Sequence, residues 1–388
     1  MEIYLKFKNS SAFLVGCLDG PVGIPTITLG DNEDTSNISE FLQIIGAPKD
    51  ITPLPEGYDS MCKTLAIQGI HQVLAIPRHR MEDHVQILLE RLRNVFSNHY
   101  SLAYLETYMT VRELLCKLSR ASVDREKLDK MMISTSNASI KGNLQSLVPE
   151  TDHLLRRVSY SMSSTNTGRL IVKSGPKILT APSVVRSCLK SRFPNGKILQ
   201  IDVISAEPKF ALYDSGVDPP IDVYAYISSH ILEGKVTRNS AKLITLCALY
   251  GQSLKKLSEK LPKEVSARAV VRKTKEFFQY DRLLTKLRSD YSSGNFRNAF
   301  GRPLHVDSES PHLLISHYLQ SSVAEGSILM FSNFLKKAPS TCIPLFVIHD
   351  ALVVDVDEDL ANNLLEDQHS FYLKDWRFEV TVTKLSDS

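Results

Sequence analysis

Residues 343–356 read IPLFVIHDALVVDV, and this stretch decides the fold class of the chain. Two apolar, β-prone runs, IPLFVI and ALVVDV, are separated by the polar pair His349 and Asp350. This pattern predicts a tight hairpin of two strands, although His-Asp is not the favoured turn pair. The hairpin would hold the Asp350 carboxylate beside two apolar strands.

A second carboxylate adjoins another apolar run, KILQIDVI, in which Asp202 is the acidic residue. Taken alone, each aspartate is most simply a strand-end or turn residue. If the strands bring the two carboxylates together, their charges repel each other, and divalent cations relieve that repulsion. Two metal ions between two aspartates form a clamp for in-line phosphoryl transfer. The pair therefore suggests a metal-dependent phosphoryl-transfer site.

The segment RNSAKLITLCALYG at residues 238–251 predicts a helix with one basic face. Arg238, Lys242 and Tyr250 occupy one broad side of that helix, because steps of four residues rotate by only about 40°. Two cations one turn apart suit a triphosphate, and a tyrosine further along can stack on a base. A solvated basic helix face would show the same pattern.

The composition excludes several classes of protein. The chain has 388 residues, of which 43% are hydrophobic and 23% are charged, so it is neither disordered nor of low complexity. The net charge of +3 permits nucleic-acid binding without arguing for it. The six cysteines include no C-x-x-C pair and are read as buried apolar residues of a reducing compartment.

Taken in order, several short segments together resemble the motifs of the family-A DNA polymerases, the DNA polymerase I group. They are TGRL at 167–170, DVISAEPK at 202–209, RNSAKLITLCALYG at 238–251, FGR at 300–302, LQSSVAEG at 319–326 and FVIHDALVVDV at 346–356. The resemblance covers roughly residues 155–388. It suggests a compact, divergent and phage-like member of that group.

The resemblance implies an α+β fold shaped like a right hand, with an antiparallel palm sheet and helical fingers and thumb. The expected divisions are a small β-rich N-terminal module at 1–77, a thumb at 78–154, a palm at 155–220 and 302–388, and fingers at 221–301. The N-terminal module is interpreted as an exonuclease-domain remnant, a partner-docking module or an accessory to the core. None of its strand-like runs carries a D-x-E motif, so proofreading is not expected.

Local patterns add further expectations. Apolar spacing predicts helices near 39–46, 81–96, 102–118 and 308–337, a strand near 70–77, and an exposed loop, a candidate thumb tip, at 134–143. No apolar run reaches 18 residues, so no membrane span is expected.

The resemblance also implies a role for each matching residue. Asp202 and Asp350 would bind two Mg²⁺ ions, with Mn²⁺ as an alternative ion, and Glu207 would be a steric gate against a ribose 2′-hydroxyl. Arg238 and Lys242 would hold the incoming triphosphate, and Lys242 would protonate the leaving pyrophosphate. The remaining implied contacts are Tyr250 and Leu246 at the nucleotide, His349 near the primer end, and Arg169, Gln320, Thr167 and Lys209 on the DNA.

Some positions depart from the family pattern. Leu246 stands at an aromatic position, Cys247 at a glycine, Tyr224 at the histidine of D-I-H, Ser316 at an asparagine, His312 at an arginine and Ala351 at the glutamate of H-D-E. The metal aspartates, the gate and the triphosphate cations all remain. An active enzyme is therefore expected.

The function implied is that of a template-directed DNA polymerase, a nucleotidyltransferase that adds dNTPs to a primer 3′-hydroxyl. One alternative is a single-subunit RNA polymerase, whose motifs are similar at 238–251 and at the His-Asp pair; Glu207, TGRL and HDALVVDV favour DNA synthesis. Another is an inactive, DNA-binding replisome protein. Expected partners are primer-template DNA, dNTPs and replisome proteins such as a helicase, primase or processivity factor. The expected location is the cytoplasm (of the host, if phage-encoded), on DNA.

Overall fold

The computed structural model describes residues 2–8, 11–18, 27–29, 36–46, 102–149 and 153–385, together with single positions between 60 and 90. The chain divides into two compact units, Met1–Cys116 and Lys117–Ser388. The predicted thumb, residues 78–154, is divided between these two units. The predicted strand near 70–77 and the predicted helix near 81–96 lie outside the continuously described residues.

The first unit contains a four-stranded sheet, as the β-rich pattern of the N-terminal residues predicts. Its strands are β1 (Glu2–Lys8), β2 (Ser11–Leu18), β3 (Ile27–Leu29) and β4 (Ser36–Asn37). They are ordered β3-β1-β2-β4, with β1 and β2 antiparallel and β3 parallel to β1.

Two helices confirm the predictions made near 39–46 and 102–118 from the sequence. They are α1 (Ile38–Ile44) and α2 (Leu102–Lys117). The Phe41 ring packs on Tyr104 and Tyr108, with ring centroids 6.2 and 5.0 Å apart. The Arg112 guanidinium also pairs with the buried Glu40 carboxylate at 3.3 Å. Aromatic packing and one ion pair therefore join α1 to α2.

The second unit combines helices with a larger sheet. Its helices are α3 (Arg125–Ser134), α4 (Ala138–Gln145), α5 (Ser183–Arg186), α6 (Ala206–Asp214), α7 (Val223–Tyr226), α8 (Arg238–Tyr250), α9 (Leu254–Ser258), α10 (Ala267–Phe277), α11 (Tyr280–Ser292), α12 (Pro311–Lys337) and α13 (Glu358–Glu366). A π-helical turn, Ile227–Ile231, follows α7. Among these described helices, none has the length and apolar character needed to cross a bilayer.

The strands of the second unit form one five-stranded sheet and two small pairs. They are β5 (Ser122–Val123), β6 (Ser159–Ser161), β7 (Ile171–Ser174), β8 (Leu189–Lys190), β9 (Lys197–Val203), β10 (Ile343–Ile348), β11 (Ala351–Val356), β12 (His369–Leu373) and β13 (Trp376–Lys384). The order in the large sheet is β10-β11-β9-β13-β12, and every neighbouring pair is antiparallel. The expected α+β class with an antiparallel sheet is confirmed.

The predicted exposed loop at 134–143 is wrong over most of its length. Residues from Ala138 onward form α4, and only a short break separates it from α3. The Asn137 side chain accepts hydrogen bonds from the backbone N–H groups of Ser139 and Ile140, so it caps the new helix. Leu144 then anchors α4 by burying its side chain completely. The polar stretch that is typical of a loop therefore contains the first turns of α4.

A buried ion pair fixes the long helix α12 against the remainder of the second unit. The Arg302 guanidinium lies 3.0 Å from the Glu325 carboxylate, and the two side chains are 3% and 1% exposed. Arg302 also donates to the Met162 carbonyl at 2.7 Å, and Asn298 donates to Glu325 at 2.7 Å. The network joins the FGR turn, α12 and the segment that leads into the TGRL turn.

The TGRL turn packs directly on that ion pair. Gly168 has a φ of 70°, and a Cβ atom at this position would lie 2.8 Å from the Arg302 guanidinium carbon. Glycine is therefore required for both the backbone conformation and the close approach. The next residue, Arg169, is thereby presented from a turn that rests on a buried support.

Replacing Arg302 by alanine should destabilise the second unit strongly, because Glu325 would keep a buried charge without its cation. The free energy of unfolding should fall by about 3–5 kcal/mol. Urea denaturation followed by fluorescence isolates this effect, since the single tryptophan of the chain, Trp376, lies in this unit.

The matched control is Arg125→Ala, which removes an exposed i,i+4 pair with Asp129. That variant should change stability by about 0.5 kcal/mol or less. Equal urea midpoints for the two variants would contradict the role of the Arg302–Glu325 pair.

Candidate active site

The sheet brings the two predicted aspartates together. Asp202 lies near the end of β9 and is directly opposite Ala351, the first residue of β11. Asp350 occupies the turn before β11, and its carbonyl accepts a hydrogen bond from Val203 N–H at 3.3 Å. The other turn residue, His349, has a φ of 55° and an exposed side chain. The hairpin predicted from IPLFVIHDALVVDV is present, with Asp350 beside the end of β9.

The Asp350 charge acts on the Asp202 carboxylate. Burial, and after it the negative charge of Asp350, raise the pKa of Asp202 to about 6. The Lys242 ammonium acts in the opposite direction. Because the charged form of Asp202 is disfavoured, a nearby positive charge would stabilise this pair of carboxylates.

The donor set fits magnesium that is shared with a substrate. Among the described residues, no group of three or more His, Cys, Asp or Glu side chains is arranged to hold a metal ion. Mg²⁺ commonly keeps several water ligands and binds through one or two carboxylates together with substrate phosphates. Asp202 and Asp350 meet that requirement and do not form a closed, all-protein metal site.

Glu207 is held in one orientation by hydrogen bonds to both of its oxygens. Arg169 donates to Oε1 at 2.7 Å, and the Tyr250 hydroxyl donates to Oε2 at 2.6 Å. Burial and the Glu207 charge keep the pKa of Tyr250 well above its usual range, so Tyr250 remains a protonated donor. These contacts join the TGRL turn, the first turn of α6 and the last residue of α8.

The helix α8 presents the predicted cations as its sequence indicates. Arg238 and Lys242 are exposed, whereas Ala241, Ile244 and other residues of the opposite face are buried. The Thr237 hydroxyl caps the helix by accepting a hydrogen bond from Ser240 N–H. Leu246 is half-buried at the next position of the same face.

Two residues that were not predicted as site residues contact these cations. Asp222 accepts a hydrogen bond from Arg238 Nε at 2.6 Å. Burial would raise the pKa of Asp222, but the bonds from Arg238 and from backbone N–H groups hold it below its usual value. The Tyr224 ring lies 5.6 Å from the Arg238 guanidinium and 6.0 Å from the Lys242 ammonium. The motif D-V-Y at 222–224 was the available signal for both.

One cleft collects several of the remaining predicted residues. Its lining comprises Arg169, Leu170, Glu207, Gln320, Val323, Ala324, His349 and Asp350. Gln320 reaches it from α12, and His349 reaches it from the hairpin turn. Thr167 is half-buried in the TGRL turn and is not among the residues that line the cleft.

Lys209 lies away from the cleft. Its side chain is fully buried and pairs with Glu379 of β13. A phosphate contact requires an accessible ammonium group, so this placement does not support the predicted DNA contact of Lys209. Its position in the motif is explained by packing, because the charge pair fastens α6 to β13, the strand that pairs with β9 beside Asp202.

The end of α8 is fixed by a contact that depends on glycine. Gly251 has a φ of 69° and ends the helix, and a Cβ atom there would overlap the His312 ring. Burial and the Lys275 charge both lower the pKa of His312, which favours the neutral ring. The pairing of Gly251 with His312 therefore helps to place Tyr250, the residue just before it.

Comparisons with known proteins indicate the fold. No family model and no curated protein match the sequence. Among solved structures, the chain is similar to the POL domain of Pol1 from M. smegmatis, solved as a complex with DNA primer-template and dNTP. The identity is 14% and the TM-score is 0.58, with 90% of this chain and 82% of that chain covered. The fold of the chain is therefore that of a polymerase domain.

Proposed function

We propose that the chain is a template-directed DNA polymerase that adds deoxynucleotides to a primer 3′-hydroxyl. One observation carries the proposal: on a polymerase-type fold, the paired carboxylates lie beside an oriented glutamate and a helix with two exposed cations. The solved neighbour is bound to primer-template DNA and dNTP, and we assign the same classes of ligand to this cleft.

The reaction forms a bond between the primer 3′-oxygen and the α-phosphorus and breaks the bond to the pyrophosphate. Magnesium held by Asp202 and Asp350 would supply the charge that lowers the pKa of the attacking hydroxyl. Arg238 and Lys242 bind the triphosphate, and Lys242 donates a proton to the leaving pyrophosphate. Manganese is an alternative ion for the same carboxylates.

The other cleft residues orient the substrates. Glu207, held by Arg169 and Tyr250, fills the space that a ribose 2′-hydroxyl would occupy. We assign Gln320 and Arg169 to the minor-groove side of the primer-template and His349 to the primer end, since all three line the cleft. Thr167 lies in the turn that carries Arg169.

The finer assignment rests on the order of the motifs. We assign the chain to a compact, divergent, phage-like group of family-A polymerases that works on DNA in the cytoplasm with other replisome proteins. We also propose that it lacks proofreading, since the strand-like runs of residues 1–77 carry no D-x-E. A single-subunit RNA polymerase remains the second candidate. The hydrogen bonds that hold both oxygens of Glu207 in place favour a DNA polymerase, because they fix the side chain that would exclude a ribose 2′-hydroxyl.

Replacing either Asp202 or Asp350 by asparagine should reduce primer extension by about a thousandfold, the equivalent of several kcal/mol of lost charge stabilisation. The measurement is single-nucleotide extension of a primed template with Mg²⁺. The matched control is Asp359→Asn, an exposed position on α13. If the unmodified protein extends nothing and Asp350→Asn leaves DNA affinity unchanged, the inactive DNA-binding alternative replaces the proposal.

Asp202→Asn should also stabilise the protein in the absence of metal. The folded-state pKa of about 6 lies above the unfolded value of about 3.9, so the folded state binds more protons between these values. Stability therefore falls as pH rises through this window, and the cost of the charged carboxylate is complete above about pH 6. At pH 7.5 in EDTA, the variant should gain about 1–2 kcal/mol, a value reduced for solvent screening at this half-buried site.

Urea titrations at pH 7.5 and pH 4 measure that effect. The gain should shrink at pH 4, and excess Mg²⁺ at pH 7.5 should offset it, because ions bind the native wild-type carboxylates. Asp359→Asn should show no such pH dependence. An Asp202→Asn variant that is less stable than wild type at pH 7.5 in EDTA would contradict this electrostatic account.

Glu207 should decide between deoxynucleotides and ribonucleotides. Glu207→Ala should narrow the preference for dCTP over CTP by about tenfold to a hundredfold, the range that pocket discrimination provides. Glu207→Gln should retain most of the preference, because it preserves the bulk of the side chain. The measurement is kcat/KM for each nucleotide on one template; equal use of both nucleotides by the native protein would favour the RNA polymerase alternative.

A further inference from the structure

Tyr224 is a buried aromatic residue that lies beside the two cations of α8. It is the second residue of α7 and is 8% exposed. Asp222 caps the same helix by accepting hydrogen bonds from the N–H groups of Tyr224 and Ala225, and it also binds Arg238. A single short element therefore carries both the ring beneath the cations and the carboxylate that holds one of them.

The Tyr224 ring contacts both triphosphate-binding cations. The Arg238 guanidinium carbon lies 5.6 Å from the ring centroid, and the Lys242 ammonium lies 6.0 Å from it. Both distances are within the range of cation–π attraction, the second at its outer limit. Two like charges one helical turn apart repel each other, and the electron-rich face of one shared ring offsets part of that repulsion.

The acidic groups of the site act on the polar end of Tyr224. Burial raises the pKa of Tyr224, and the negative charges of Glu207 and Asp350 raise it further. Tyr224 in turn contributes to the raised pKa of Tyr250. The ring thus adjoins both cations on α8, and the charges of Glu207 and Asp350 act on the same side chain.

We propose, on the basis of the proposed function, that Tyr224 is the positioning residue for nucleotide binding. Its ring holds Arg238 and Lys242 side by side in the free enzyme, so that a triphosphate meets two preplaced cations. The family resemblance has a histidine at this position, so the arrangement belongs to this chain. Preplacement lowers the ordering cost of binding, and its loss should raise the dissociation constant of the nucleotide.

Three variants distinguish the effect of the ring on the cations from a general loss of packing. Tyr224→Phe keeps the ring, and Tyr224→Leu removes it. Tyr226→Leu is the matched control, because Tyr226 lies on the same helix and packs on His230 and Phe277 instead of the cations. Fluorescence of Trp376 in urea confirms that each variant is folded.

The primary measurement is the dissociation constant of the correct dNTP on a primer-template with a dideoxy-terminated primer, which permits binding without chemistry. Tyr224→Leu should weaken binding by about fourfold to twenty-five-fold, since two cation–π contacts are each worth roughly a factor of two to five. Tyr224→Phe and Tyr226→Leu should stay within about twofold of wild type. In steady-state extension, Tyr224→Leu should raise KM more than it lowers kcat.

A second measurement separates this inference from the proposed function. Inorganic tripolyphosphate is titrated calorimetrically against the free protein, and Tyr224→Leu should weaken its binding by a similar factor. If wild type binds tripolyphosphate but selects no templated dNTP, the proposed function fails while the role of Tyr224 is still measured. Unchanged affinity in Tyr224→Leu, or an equal loss in Tyr226→Leu, would overturn the inference, and so would a wild type that binds neither ligand.

Discussion

The register between β9 and β11 is the constraint on which the site depends. Pairing Asp202 with Ala351 places the end of β9 beside the turn that contains Asp350. A shift of one residue would turn the Asp202 side chain to the other face of the sheet. The register is protected because residues of both strands are buried and because β13 pairs with β9 on its other side, with Thr381 opposite Asp202. The most exact part of the site is therefore built on the central strand of the sheet and one of its neighbours.

Around this centre, hydrogen bonds from neighbouring side chains hold charged groups in fixed orientations. Glu207 is fixed from two sides by Arg169 and Tyr250, and Arg238 is fixed by Asp222. The raised pKa of Asp202 shows the opposite condition, a carboxylate that the fold holds at a cost. Such a cost is expected where a site is prepared for a cation that arrives with its substrate. Under the proposed function, Glu207 and Arg238 would orient the substrate, whereas Asp202 and Asp350 would need the cation that comes with it.

Much of the sheet and of the helical face could be predicted from sequence, for physical reasons. Two apolar, β-prone runs on either side of His349 and Asp350 predict a hairpin, and four-residue spacing predicts the face of α8 that carries Lys242. Burial at single charged positions could not be predicted, because it depends on a partner distant in the chain. Lys209 matches a basic motif position but pairs with Glu379, 170 residues away. For the same reason, the hydrogen bond between Asp222 and Arg238 could not be predicted. The start of α4 was missed because the polar residues at 134–143 are typical of a loop.

The departures from the resembled family fall mainly on the side of the site that would receive the nucleotide. Leu246 removes an aromatic ring from the face of α8, whereas Tyr224 places a ring beneath Arg238 and Lys242. His312 packs against Gly251 at the end of the same helix. Asp202, Asp350 and the oriented Glu207 are retained. Under the proposed function, changes on α7 and α8 would alter how a triphosphate and sugar are held, while the register of the sheet would fix where bond formation takes place. Different nucleotide contacts are thus compatible with the same pair of aspartates on the sheet.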